Sequence, residues 1–265
     1  MMKNFIRKLI LLPWSFRQPL TSIPKNNRTM ISDLFVWRRD GNWKTSFELL
    51  NIAYLFGRLK LSQVDIVFFD TKGNIFFEKT VDLLNGCRQI IDISEVLEND
   101  CKKKVIDDFG TFSVFHRNIP NIIRELNSFV AERGYVSYYY KDSQLASYVH
   151  GNLDSIGKVN TSYISLGGYG LFKRNYNLQY QLDAGCSYDI VITNPCQKSK
   201  KITIRIISFN NGKVIKSFST SINSRAAIVH NLKDIQEPCR ISIESRMVMA
   251  RPIIFKENNM DVFHG

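Results

Sequence analysis

Five segments recur in the same order in the two halves of this chain, and that self-similarity restricts it to a repeated architecture. "TSFELLN" at 45–51 matches "YDIVITN" at 188–194, so that Asn51 and Asn194 each end a strand-like run. "VDIVFFDTKGNIFFEKTVDL" (64–83) matches "ITIRIISFNNGKVIKSFSTSI" (202–222). Each is a β-branched and aromatic run, a turn built on Gly73 or Gly212, and a second such run, which is the signature of a hairpin. "RQIIDISEV" (88–96) matches "AAIVHNLKD" (226–234), and "GTFSVFH" (110–116) matches "CRISIES" (239–245). "SYVHG" (147–151) then meets the closing "DVFHG" (261–265), which makes Gly151 and Gly265 equivalent ends.

Short strands separated by turns pack as two layers. The expectation is therefore an all-β chain of two tandem β-sandwich units related by duplication. The boundaries read as a basic N-terminal segment (1–30), a first unit (31–152), a linker (153–175) and a second unit (176–265). A length of 265 residues is enough for two cores without covalent staples.

The first copy carries an insertion that the second lacks. Pro120, then Ile122, Ile123, Leu126, Phe129 and Val130 on one face, with Gly134 after the last turn, predict one short amphipathic helix. "YVSYYYKDSQLASYVH" then predicts a hairpin around Lys141–Ser143. Function often sits on insertions into a repeated scaffold, so the first unit is the expected seat of a specific site.

Charge is unevenly placed. The formal net charge is +12; residues 1–30 hold six basic side chains and no acid, 31–185 are neutral, and 186–265 hold twelve basic against six acidic. In "MMKNFIRKLILLPWSF", the apolar run after Lys3, Arg7 and Lys8 stops at Pro13, too short for a secretory signal or a membrane span. As a helix it has an apolar face of Phe5, Ile6, Leu9, Ile10 and Leu12. Periodicity alone leaves two uses for that face: docking on protein, or lying on an anionic membrane surface through residues 1–16. The expected location is cytoplasmic, or peripheral at the inner membrane. Five cysteines without a Cys-x-x-Cys spacing fit a reducing compartment.

Catalytic and ligand motifs are sparse. There is no Gly-x-Ser-x-Gly elbow, and "SLGGYG" lacks phosphate-loop spacing and reads as a turn. The four histidines, His116, His150, His230 and His264, have no metal-ligand spacing, and a strand-end histidine more simply bonds a backbone carbonyl. No metal, no cofactor and no nucleic-acid partner is expected. The densest unusual stretch is "DLFVWRRDGNWKTSFELLN", where Trp37 and Trp43 flank Arg38 and Arg39. An indole plate beside charged forks suits a sugar; the alternative is inward tryptophans and an ion-paired turn, which the usual burial of tryptophan favours. The candidate ligand-binding set is Trp37, Arg38, Arg39, Trp43, Arg133 and Tyr135, with His150 and His264 as end markers or lesser contacts.

With these residues assembled, the chain resembles an uncharacterised family of bacterial tandem β-sandwich proteins. "ISDLFVWRRDGNWKTSFELLN", "AERGYVSYYYKDSQLASYVHGN" and "RPIIFKENNMDVFHG" carry the resemblance, which spans nearly everything from Ile31 onward. It implies cytoplasmic or peripheral proteins, some encoded alongside surface-polysaccharide machinery. The last segment is also remotely similar to the small β-sandwich transducers of sensory rhodopsins, which implies a homo-oligomer. The expected function is a non-enzymatic binding or assembly module with a glycan or protein partner. Two alternatives stay open: an enzyme on glycans or sugar nucleotides using unannounced carboxylates, and a membrane-surface scaffold.

Overall fold

The computed structural model describes residues 30–57, 62–101, 107–117, 130–233, 235–248, 252–256 and 261–264. The basic segment 1–16, most of the helix expected after Pro120, and Gly265 lie outside them. Among the described residues the chain is all-β, with strands outnumbering two short helices. The first half contains β1 (Met30–Arg38), β2 (Trp43–Leu50), α1 (Ile52–Gly57), β3 (Ser62–Phe69), β4 (Ile75–Leu83), β5 (Arg88–Asp92), α2 (Ile93–Asp100), β6 (Phe109–His116), β7 (Val130–Glu132), β8 (Tyr135–Tyr140) and β9 (Ala146–His150). There follow β10 (Asn152–Val159), β11 (Ser162–Ser165) and β12 (Tyr169–Asn177). The second half adds β13 (Tyr188–Thr193), β14 (Lys200–Ser208), β15 (Val214–Ile222), β16 (Ala227–Leu232), β17 (Cys239–Met247), β18 (Ile253–Lys256) and β19 (Asp261–His264).

Four sheets result. Sheet I has the order β11-β10-β1-β6-β3-β4 with β7 also beside β1, and sheet II is β5-β2-β8-β9. Sheet III is β12-β17-β14-β15, and sheet IV is β16-β13-β18-β19. Strand for strand, β1-β6-β3-β4 recurs as sheet III and sheet II recurs as sheet IV. Register repeats too: Phe68 pairs Phe77 and Phe112, and its counterpart Ile206 pairs Lys216 and Ile241.

Asn51 and Asn194 do the same work in both halves. The Asn51 amide donates to Leu84 O and its carbonyl accepts from Tyr54 N; the Asn194 amide donates to Ile222 O and its carbonyl accepts from Cys196 N. Each asparagine thus satisfies backbone groups left over where a strand ends, which buried backbone requires.

Two cores follow from side-chain alternation. The first is aromatic, with Phe35 4.7 Å from Phe47 and 5.2 Å from Phe112 between ring centroids. The second is aliphatic, built on Ile190, Ile192, Ile202, Ile204, Ile241, Ile243 and Ile254. Burying each such side chain stabilises by about 1.5–3 kcal/mol. Sheet IV is covered on both faces: Ile190 and Ile254 belong to the second core, whereas Val191, Ile253, Phe255 and Val262 belong to the first. Its two central strands accordingly carry unbroken apolar stretches, Ile190–Ile192 in β13 and Ile253–Phe255 in β18, as double burial favours.

Like edge meets like edge where the halves join. Ser147 Oγ donates to Asp261 Oδ1 at 3.1 Å, and the rings of His150 and His264 lie 4.3 Å apart. Both pairs match equivalent residues with each other, the signature of a two-fold relation.

Two local expectations are corrected. Residues 153–175 are not a linker: β10 pairs with β1, β11 pairs with β10, and Ile156 and Phe115 join a further cluster on the outer side of sheet I. Val130–Glu132 is a strand parallel to β1 and not the end of a helix. Ile93–Asp100 forms a helix that is not among the expected elements, and Asp92 caps it by accepting from Glu95 N at 2.9 Å. No helix of the described residues is long and apolar enough to cross a membrane.

Candidate functional site

The Trp-Arg cluster is a lock between the halves. Trp37 and Trp43 are 0% and 2% exposed, so neither offers an indole plate to a sugar. Trp43 meets Phe255 edge-on at 5.1 Å, and the Arg38 guanidinium lies 4.4 Å from the centre of the same ring. Arg38, 2% exposed, donates to Asp40 Oδ1 at 2.7 Å and to Asp189 Oδ2 at 2.7 Å. A buried guanidinium needs this many acceptors, because its desolvation is offset only by well-placed partners. Trp37 packs within the first half, 6.1 Å from Phe76 between ring centroids. Arg39 stands 3.7 Å from Asp108.

His150 and His264 are brought together, but around a space of only about 10 Å³, which holds at most one water. His150 Nδ1 lies 3.0 Å from Gly151 O, a strand-end bond of the kind its position predicts. Arg133 donates from Nη2 to both oxygens of Asp154 at 2.7 and 2.8 Å.

Beside that pair is a buried polar cluster that sequence reasoning missed. Asp33, 0% exposed, sits at a break in the β1–β10 register and accepts from Asp154 N at 2.8 Å. Burial outweighs this bond and the nearby Arg133 charge, and raises its carboxyl to about 7. Nearby on the same sheet, His116 Nε2 and Glu132 Oε2 are 2.6 Å apart and almost wholly buried. A carboxyl of raised pKa is what an acid catalyst requires. Here no face of it meets solvent, so the cluster reads as internal structure. Among the described residues no group of three or more His, Cys, Asp or Glu side chains is placed to hold a metal ion.

The open face of sheet II is different. Phe47, Leu49, Val136, Tyr138 and Val149 point into the first core, so alternation turns Lys44, Glu48 and Leu50 of β2, Tyr135 and Tyr139 of β8, and Tyr148 of β9 outward. Tyr135 and Tyr148 are 54% and 50% exposed, and Ile90 of β5 is 58% exposed. Ser137, on the same face opposite Tyr148, is nonetheless buried. Arg88 Nε donates to Glu48 Oε2 at 2.8 Å. Burial, then the charge of Glu48 and neighbouring Tyr139, holds the Tyr148 phenol above its ordinary value. Three phenol rings and one guanidinium–carboxylate pair therefore share one flat surface.

Sheet IV provides the comparison. In matching register, Glu48, Tyr135, Ser137 and Tyr148 correspond to Val191, Ile253, Phe255 and Val262, which are all buried against the first half. The counterpart face is packed and apolar; the face on sheet II is open, aromatic and charged. Of the sequence-predicted residues, Tyr135 and His150, opposite each other in the β8–β9 register, lie on it. The tyrosine-rich run 135–140 was the available signal, since alternation places Tyr135 and Tyr139 on one side.

No family model matches the chain, and no curated protein matches it. Among solved structures, one of infectious bursal disease virus (Gt strain) is similar over 88% of this chain at 13% identity with a TM-score of 0.17. This chain spans 65% of the length of that one. The M60 catalytic domain with CBM51 domains from Clostridium perfringens ZmpB is 9% identical over 86% of this chain and 34% of its own, with a TM-score of 0.19. A glycoside hydrolase family 2 β-glucuronidase is 10% identical over 87% of this chain and 23% of its own, with a TM-score of 0.14. Scores this low assign no function.

Proposed function

We propose that the protein is a non-enzymatic glycan-binding module whose contact surface is the open face of sheet II. The observation that carries this reading is the contrast with sheet IV: equivalent positions are buried aliphatic and aromatic in one half, whereas the other half exposes Tyr135 and Tyr148 beside a partly buried Glu48 that is paired with the exposed Arg88. Tyrosine rings supply flat, rigid surfaces for sugar C–H groups at little entropic cost, with a hydroxyl at the rim. Glu48 and Arg88 supply charge-assisted acceptors and donors for sugar hydroxyls. The resemblance to bacterial proteins encoded near surface-polysaccharide machinery points to a bacterial surface glycan as ligand.

The test is a glycan-array screen followed by calorimetric titration of the best ligand, with Tyr135→Ala and Tyr148→Ala run beside the parent. Each ring removed is expected to weaken binding by about 1 kcal/mol or more, five- to tenfold in Kd. Tyr169→Ala, an exposed tyrosine on β12, leaves affinity unchanged. Undiminished affinity in a folded Tyr135→Ala, Tyr148→Ala double variant would remove sheet II from consideration.

A further inference from the structure

The two halves differ at one end of the sandwich. In the first, β5 connects to β6 through sixteen residues, 93–108, that include α2; in the second, β16 connects to β17 through six, 233–238. Around α2 the described residues of the first half pack closely. Ile93, Leu97 and Val96 enter the core there, and Phe68 lies against Phe77 at 5.7 Å and Phe76 at 6.3 Å between centroids. By register the counterparts of Phe68, Phe76 and Phe77 are Ile206, Ile215 and Lys216. Three phenyl rings become two shorter side chains and one lysine, and the helix becomes a short loop.

What remains in the second half is a cavity of about 230 Å³. Its walls are apolar, from Ile206, Ile215, Leu232 and Ile235. Lys216 and Lys233 also line it, and neither is ion-paired among the described residues. Among the described residues the one acid lining the cavity, Glu237, is turned to other partners: Ser208 Oγ and Asn210 Nδ2 donate to its Oε2 at 2.8 and 2.9 Å. Asn231 is likewise engaged, donating to Asp189. Among the described residues, the unmatched charge at this mouth is therefore positive. Its influence reaches His230, stacked on Phe218, whose imidazole is held below its ordinary value by burial and then by Lys216.

We infer that this cavity is a binding site for a small amphiphilic carboxylate, with the apolar body between sheets III and IV and the anionic head at Lys216 and Lys233. A cavity of about 150 Å³ holds the six carbons of benzene, so about 230 Å³ scales to about nine or ten heavy atoms. That is the size of an eight-carbon fatty acid. An apolar pocket with a few convergent charged groups is the ordinary form of a small-molecule site. The site is distinct from the tyrosine face and stands or falls without it.

Octanoate and octanol are the probes, titrated into full-length protein labelled at isoleucine methyl groups and followed by NMR. Octanoate is expected to move the Ile206, Ile215 and Ile235 methyls saturably, at least tenfold tighter than octanol. Lys216→Met should bring octanoate down to the affinity of octanol, and Lys233→Gln should weaken it severalfold. Lys216→Phe, which installs the first half's own residue, should close the cavity and abolish binding by both probes with the methyl spectrum still dispersed. Absence of saturable shifts at millimolar octanoate overturns the inference, as does equal binding of acid and alcohol in the parent.

Discussion

Alanine placed separately at Gly73 and at Gly212 sets two equivalent turns against each other. Both glycines close the hairpin of matching strands at positive φ, +82° and +69°. Both donate their N–H across the turn, Gly73 to Asp70 O and Gly212 to Ser208 O. The conformational penalty for an L-residue is therefore shared, about 1–2 kcal/mol each. Surroundings differ. A Cβ on Gly212 meets nothing within 4 Å, whereas one on Gly73 falls 1.8 Å from Ser224 O and 3.0 Å from Ala226 N. That turn of the second half is held in place: Thr111 donates to Arg225 O, Ser224 Oγ lies 3.0 Å from Ser165 Oγ, and the Arg225 guanidinium covers the Phe69 ring. Moving it to admit one methyl group loosens at least two hydrogen bonds at about 1 kcal/mol each. Gly73→Ala is thus expected to cost about 3–4 kcal/mol in total and Gly212→Ala about 1–2. Urea unfolding followed by tryptophan fluorescence reads the difference as a shift in midpoint at constant slope. Equal shifts for the two variants would mean that the halves do not press together at Gly73, and the packing argument would be wrong.

Two further perturbations probe the buried charges. Asp33 has a folded-state pKa of about 7 against 3.8 in the unfolded chain, so the folded form holds the extra proton; stability falls as pH rises from about 4 to about 7, by up to about 4 kcal/mol, with Arg133, Asp154 and Glu132 as the charged neighbours. Asp33→Asn is expected to match the parent near pH 4 and to melt higher at pH 8; a lower melting temperature at pH 8 would refute that sign. Asp189→Ala leaves the buried Arg38 with Asp40 alone and should cost about 3–5 kcal/mol, with about half recovered on adding Arg38→Met, as urea midpoints of the single and double variants would record. An additive double variant would argue against the pairing.

Alternation made the hairpins legible, and order made the repeat legible. The runs around Gly73 and Gly212 become β3–β4 and β14–β15, and the run at 135–150 becomes β8–β9. Other features were present in the sequence but lost to a stronger pattern. "DISEVLEND" carries an aspartate N-cap and a glutamate three residues on, the signal of a helix start, but the segment is read only as part of the repeat. "SLGGYG" suggested a loop, although the alternating residues before it pair with β1. The usual burial of tryptophan favours inward Trp37 and Trp43, as found, but not which neighbours they meet. Trp43 packs on Phe255, more than two hundred residues away, and Trp37 on Phe76 of the next hairpin, and no local period encodes either partner.

The repeat is also what separates scaffold from site. A feature shared by both halves, such as the strand-ending asparagines or the paired His-Gly ends, is explained by the fold that both must form. Features held by one half alone ask for a further cause. A strict two-fold pair would bury the outer faces of sheets II and IV alike or leave both open. Instead, the face on sheet IV is apolar and closed by Trp43, Tyr138 and Arg38 of the first half, while the matching face on sheet II keeps tyrosines in solvent. The sandwich end reverses the asymmetry: closed by α2 and three phenylalanines in the first half, open and lysine-lined in the second. Apolar surface left in water costs free energy at about 25 cal/mol per Å², and a cavity forfeits packing that the other half achieves with the same strands. Stability alone would fill both, so each opening is where a demand other than folding is expected to act.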